Sequence, residues 1–247
     1  MCRMFFQCST EPFTIDYKIL NEFIKTCHRR YLHKYDLLGH HNLGWGFAYI
    51  PERNKNTLII KRDINPIYFS DWKSLTKIST RFLLVHARKA KPWNKNYKNI
   101  HPINIKEKFL IAHNGIIKEF PIQNLINPKL DKINKSTTLD TRKYLCHIID
   151  KMQEGLSLKE SLEQLFKRIK IGAGANAFIF NASECHIINY HNSNFNGRHH
   201  SLFINKDKNK IFVSTTPIKP NAKEIPNKSL ISINLSSLIT KFYALSI

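Results

Sequence analysis

The sequence predicts a layered α+β fold with sheets packed beneath helices. Three observations lead there. Apolar segments of strand length dominate the first and last thirds, two amphipathic helical patterns lie between them, and no charge run or flexible linker divides the chain. The 247 residues are long for one average domain and short for two, so a single domain spanning 1–247 is expected. A chain of this size buries a substantial core without disulfides or metals.

The elements follow in order. "DYKILNEFIKTCHRRY" places Leu20, Phe23, Ile24 and Cys27 at i, i+3, i+4 and i+7, which predicts an amphipathic helix. "GWGFAYI" and "NTLIIKR" predict short strands around the polar turn "PERNKN". "RFLLVHARKA" and "KFLIAHNGII" are apolar runs ending in polar residues, as in buried strands whose ends reach a surface or a site. "KSTTLDTRKYLCHIIDKMQEG" predicts a helix with Ser136 and Thr137 as cap candidates, Leu145, Ile148, Ile149 and Met152 on one face, and Gly155 closing it. "SLKESLEQLFKRI" repeats the pattern with Leu158, Leu162, Leu165, Phe166 and Ile169. The strands "NAFIFN", "CHIINYH", "SLFINK", "KIFVST" and "SLISINL" follow.

Composition excludes several classes of function. At 42% hydrophobic and 23% charged residues the chain reads as a soluble globule, with no apolar run of membrane-spanning length. The start lacks a basic segment followed by an apolar core, so a cytoplasmic protein is expected. The net charge of +21 raises the question of nucleic acid. The cations, however, are spread from Arg3 to Lys241, mostly as single lysines among Asn and Ile, with no basic stripe or module, so nucleic acid is not the expected partner. The five cysteines, at 2, 8, 27, 146 and 185, have no C-x-x-C spacing and suggest neither a disulfide framework nor a zinc site. No metal or cofactor is expected.

Polar groups interrupt the apolar pattern at five places: "MC", "LGWGFAY", "VHARKA", "HNG" and "TTLDT". Cys2 taken alone is a small hydrophobe behind the initiator. If Met1 is removed, Cys2 gains a free α-amine, whose ordinary pKa of roughly 7.7–8 lets it accept a proton near neutrality. Nucleophile and base then sit on one residue. Arg88, at the end of a buried strand, is either a surface cation beside Lys89 and Lys91 or a planar fork for a carboxylate. His86 shares its side of the strand and suits a core histidine. "HNG" fits an ordinary Asn-Gly turn, or an oxyanion hole made by the Asn114 amide and the Gly115 N–H. Asp140, near a helix start, either complements the helix dipole or pairs with a substrate ammonium. Gly44, Trp45 and Gly46 suit structural packing.

The ordered set "MCRMF", "GWGFAYI", "LLVHARKA", "NIHPI", "FLIAHNGIIKEF" and "TTLDT", with the later "GANAFIFN" and "KIFVSTTPI", resembles the class II glutamine amidotransferases over essentially the whole chain. The likeness is greatest to the stand-alone type without a fused synthase domain. It implies a four-layer αββα sandwich of the N-terminal-nucleophile hydrolase type. It also implies that Cys2 attacks the side-chain amide of glutamine or a related γ-glutamyl amide, forming a γ-glutamyl thioester. Asn114 and Gly115 would hold the oxyanion, Arg88 the α-carboxylate and Asp140 the α-ammonium. Ammonia would be released or passed to a separate enzyme. A γ-glutamyl peptide or conjugate hydrolase, and a non-catalytic basic binding protein with a relict site, are the alternatives. Three places depart from the family pattern: Leu43 stands where an Asp usually precedes GWG, Arg142 where an acidic residue is common, and "KPWNKNYKN" where a glycine-containing loop is common. All three bear on the loop over the substrate.

Overall fold

The computed structural model describes residues 2–28, 40–52, 57–90, 92–105, 109–181, 183–192 and 200–247. The chain begins with β1 (Arg3–Phe13), α1 (Tyr17–Cys27), β2 (Trp45–Pro51), β3 (Ile59–Asp63) and β4 (Thr80–Ala87). Next come β5 (Ile103–Ile105), β6 (Phe109–Glu119), α2 (Pro128–Ser136), α3 (Asp140–Gln153) and α4 (Leu158–Phe166). The last third carries β7 (Lys170–Phe180), β8 (Glu184–Asn189), β9 (Phe203–Asp207), β10 (Lys210–Ser214), β11 (Lys223–Glu224), β12 (Ser229–Asn234) and β13 (Thr240–Ala244).

Among the described residues these strands form two antiparallel sheets. One has seven strands in the order β11-β9-β10-β1-β4-β2-β3, the other six in the order β13-β12-β8-β7-β6-β5. Strand alternation sorts the side chains. Met4 and Phe6 of β1 face the second sheet and pack with Ala112, Phe178 and Ile187. Phe5 faces the other way, against Phe23 of α1, with the two rings edge-on at 4.9 Å. On the far side of the six-stranded sheet, Leu145 and Ile149 of α3 and Leu162 of α4 cover Ala175 and Ile188. The result is a four-layer αββα sandwich, in which both faces of each sheet are covered by apolar side chains.

Several elements depart from the sequence-based expectation. Three helices, not two, lie in the centre of the chain. The extra one, α2, buries only Leu130 within its span and starts on an Asn127 cap that accepts from the backbone N–H of Lys129 and Leu130. Ser136 therefore ends α2 rather than capping α3, whose N-cap is Leu139, without a side-chain bond. Gly155 lies just beyond α3 with φ +95°, a left-handed conformation suited to glycine. Helix α4 carries a reciprocal capping box between Ser157 and Glu160. "HNG" is no turn, because His113, Asn114 and Gly115 lie inside β6 and pair with β7. Most of the expected "PERNKN" turn, and the residues after His28 in the first helical pattern, lie outside the described residues.

Candidate active site

Cys2 stands at the head of β1, the central strand of its sheet, flanked by β4 and β10. Of the five cysteines it alone is not buried. Burial pushes the thiols of Cys8, Cys27 and Cys146 up to about 12, which leaves them inert as nucleophiles at neutral pH. The Cys2 thiol points at the Lys89 carbonyl, 3.7 Å away.

The Cys2 backbone N–H donates to Asn114 Oδ1 at 2.8 Å. A backbone N–H can only donate, so this contact fixes the orientation of the amide group and turns Asn114 Nδ2 the other way. Asn114 is fully buried and its Nδ2 has no partner among the described residues. An orphaned buried donor of this kind costs about 1–3 kcal/mol, unless it serves a ligand.

Gly115 follows on β6 at a point where no side chain fits. A Cβ there would lie 1.7 Å from the Gly174 carbonyl oxygen of β7. Immediately afterwards the β6–β7 register slips between Gly115 and Ile117. This bulge turns the Ile117 N–H out of the ladder to Asp140 Oδ2, at 3.1 Å. Asp140 opens α3, and its Oδ1 accepts from the Thr141 N–H at 2.8 Å.

Arg88 follows β4. Its backbone is held by Leu43 and Gly44: the Arg88 N–H donates to Gly44 O at 2.9 Å, and the Leu43 N–H donates to Arg88 O at 3.2 Å. Gly44 adopts φ +96° and a Cβ would meet Asp63 O at 2.7 Å, so "LGWG" has a packing role that positions Arg88. The Arg88 guanidinium donates from Nη1 to Asn94 O at 2.8 Å, tying it to the segment over the site. Leu43 is buried, and the half-buried Arg142 side chain donates to Lys98 O in the same segment at 3.2 Å.

Cys2, Arg88, Gly115 and Asp140 line one cavity of about 630 Å³, with Lys89 and Asn94 on its rim. The five residues singled out from sequence are thus brought together from the two sheets and α3. Beneath them lies a buried polar web, of which sequence reasoning found His86, as a core histidine, and missed His101, His113 and Thr141. His86 Nε2 meets the His113 carbonyl at 3.2 Å, and its ring lies 4.4 Å from that of His101. The Thr141 hydroxyl contacts His101 Nε2 at 2.8 Å and His113 Nδ1 at 3.0 Å. Burial drives His86 down to about 3 and holds His101 and His113 below the ordinary histidine range. These rings are neutral at pH 7. The signal for them was the histidines within "VHARKA", "NIHPI" and "AHNG", whose convergence depends on long-range pairing. Among the described residues no group of three or more His, Cys, Asp or Glu is placed to hold a metal.

A family model, "Glutamine amidotransferases class-II", matches residues 23–184. The chain belongs to the class II glutamine amidotransferases. Arg88, Asn114, Gly115 and Asp140 fall within the matched stretch, and Cys2 precedes it. No curated protein sequence matches the chain. Among solved structures it is similar to a glutamine phosphoribosylpyrophosphate amidotransferase from B. subtilis, at 16% identity and a TM-score of 0.65. That match covers 100% of this chain and 50% of the other, so the chain spans about half the length of that relative. A glutamine aminotransferase class-II domain protein from Silicibacter pomeroyi is similar over 100% of both chains, at 13% identity and a TM-score of 0.58. A predicted glutamine amidotransferase from Pseudomonas aeruginosa matches 97% of this chain and 100% of its own, at 15% identity and a TM-score of 0.59. These likenesses show the fold, that of the N-terminal-nucleophile amidotransferase domains. Among the described residues no helix is long and apolar enough to cross a membrane.

Proposed function

We propose that residues 1–247 form one amidotransferase domain that hydrolyses the side-chain amide of glutamine, with Cys2 as nucleophile once Met1 is removed. One observation carries the reading: a single cavity gathers Cys2, Arg88, Gly115 and Asp140, while the buried Asn114 spans from the Cys2 nitrogen toward an unpartnered donor. The guanidinium of Arg88 suits the substrate α-carboxylate and Asp140 the α-ammonium, which places the side-chain amide at Cys2. The freed Cys2 amine accepts the thiol proton, and the thiolate adds to the amide carbon. Asn114 Nδ2 and the Gly115 N–H stabilise the resulting oxyanion. The C–N bond then breaks, and ammonia leaves with the proton returned by the Cys2 ammonium. Water attacks the γ-glutamyl thioester and releases glutamate. The ammonia is released or taken by a separate enzyme.

Intact-mass measurement of protein made in cells tests the first requirement, which expects a mature chain beginning at Cys2. Full activity with Met1 retained would refute the free-amine mechanism. A glutamine-like electrophile followed by peptide mapping tests the rest, with one stoichiometric adduct on Cys2 expected. Cys2→Ala is expected to abolish glutamate release while the fold survives.

One observation favours a broader substrate. A cavity of about 630 Å³ falls within the roughly 300–1,000 Å³ typical of sites for drug-sized ligands. A γ-glutamyl peptide or conjugate would use that room, and kcat/KM across a panel of γ-glutamyl compounds separates it from glutamine.

A further inference from the structure

The Thr141 hydroxyl lies between the carboxylate that lines the cavity and two of the buried histidines. Its oxygen is 2.8 Å from His101 Nε2, 3.0 Å from His113 Nδ1 and 3.4 Å from Asp140 Oδ1. Thr141 itself is buried, whereas the Asp140 side chain keeps 26% of its surface exposed. Asp140 therefore has three protein donors on its inner side, the N–H of Ile117, the N–H of Thr141 and the Thr141 hydroxyl, and an outer side at the cavity.

A carboxylate only accepts, so in the 3.4 Å contact of Thr141 with Asp140 the hydroxyl is the donor. The same oxygen lies within hydrogen-bond distance of His101 Nε2 and His113 Nδ1, the direction of each contact following the ring tautomer. The His113 carbonyl can only accept as well, so His86 carries its proton on Nε2. One hydroxyl thereby ties α3 to β6 and to the segment before β5.

We infer that Thr141 is a positioning residue that holds the Asp140 carboxylate for the substrate α-ammonium, and so sets discrimination for α-amino substrates over otherwise identical acids. This rests on the proposed glutamine-amide reading. Thr141 touches no reacting atom in this reading, and its effect on substrate choice passes through Asp140.

The test compares glutamine with its des-amino analogue glutaramate, which keeps the amide and the carboxylate. Glutamate or glutarate release is measured for wild type, Thr141→Val and Thr141→Ser. Thr141→Val removes the hydroxyl at nearly constant shape. It is expected to raise KM for glutamine about tenfold with kcat changed less than about threefold, the pattern of a lost binding interaction. Its kcat/KM for glutaramate is expected to stay within about twofold of wild type, so the preference for glutamine collapses. Thr141→Ser is expected to restore the preference. If Thr141→Val does not fold, Thr141→Cys, of similar volume with only a weak S–H donor, takes its place. Equal losses on both substrates would show a merely structural role and overturn the inference while leaving the amidohydrolase reading intact. Unchanged preference in the Val or Cys variant would also overturn it. Wild-type protein that releases nothing from glutamine would overturn the reading itself, and this inference with it.

Discussion

Asn114→Ala separates catalysis from stability. Among the described residues the side chain makes one bond, accepting the Cys2 N–H at 2.8 Å, and its Nδ2 is buried without a partner. Removing the bond costs about 0.5–1.5 kcal/mol, and removing the orphaned amide returns about 1–3 kcal/mol. A small cavity adds a cost of similar size, so the net change in stability is expected within about 1 kcal/mol of zero. For a domain of 150–250 residues that is a Tm shift of no more than about 2–4 °C. The transition state is a different matter. Loss of one oxyanion donor costs about 2.7–4 kcal/mol, or 10²–10³ in kcat. Glutamate release under saturating glutamine, with Tm measured on the same preparation, is the assay. The expected outcome is kcat reduced at least a hundredfold, KM within about threefold and a nearly unchanged Tm. A variant with unaltered kcat refutes the oxyanion role. A variant that unfolds shows that Nδ2 has a structural partner, and the argument from the orphaned donor fails with it.

Other predictions follow from the same geometry. Gly115→Ala forces a Cβ to within 1.7 Å of Gly174 O, so the β6–β7 contact must open. A loss of about 1–3 kcal/mol is expected, read as a lower denaturant midpoint with turnover falling too, and a variant of wild-type stability would contradict the packing described. Arg88→Lys keeps the charge and loses the fork, so KM for glutamine is expected to rise with less effect on kcat. An unchanged KM would place the α-carboxylate elsewhere. The buried histidines make the fold sensitive to acid. Burial depresses His86 to about 3 and His147 and His186 to about 4, against an ordinary value near 6.5. The unfolded chain then binds protons that the native chain does not. The corresponding stability is complete above about pH 6.5 and is lost as pH falls toward 3–4. Denaturant midpoints at pH 7, 5 and 4 should decline in that order, and a flat series would show that these rings are not held neutral.

Much of this was legible in the chain because local patterns suffice for it. The strands "RFLLVHARKA" and "KFLIAHNGII" deliver Arg88 and Asn114 from apolar runs. The first helical pattern gives α1, and the stripe of Leu158, Leu162, Leu165 and Phe166 gives α4. What escaped is non-local or unpatterned. The first seven residues of β1 are all buried, on both faces, so they show no alternation. Helix α2 has a single buried anchor, which leaves no periodic stripe. The Asn-Gly pair read equally well as a hairpin, and only pairing with β7 makes it strand. The Thr141 contacts join residues 28 and 40 positions apart, beyond any periodicity.

The packing between the two sheets has a consequence for tolerance to change. The proposed nucleophile, Cys2, belongs to one sheet, while the proposed oxyanion donors, Asn114 and Gly115, belong to the other and Asp140 to the helix layer behind it. No disulfide holds these parts in mutual alignment; side chains such as Met4, Phe6, Ala112 and Phe178 do. Misplacement by about 1 Å costs on the order of a hundredfold in rate, whereas a conservative core swap costs less than about 1.5 kcal/mol in stability. The interior of the sandwich thus acts as a gauge block, setting the gap across which the proposed chemistry takes place, so a silent-looking change deep in that layer, far from any polar group, would register first as lost turnover.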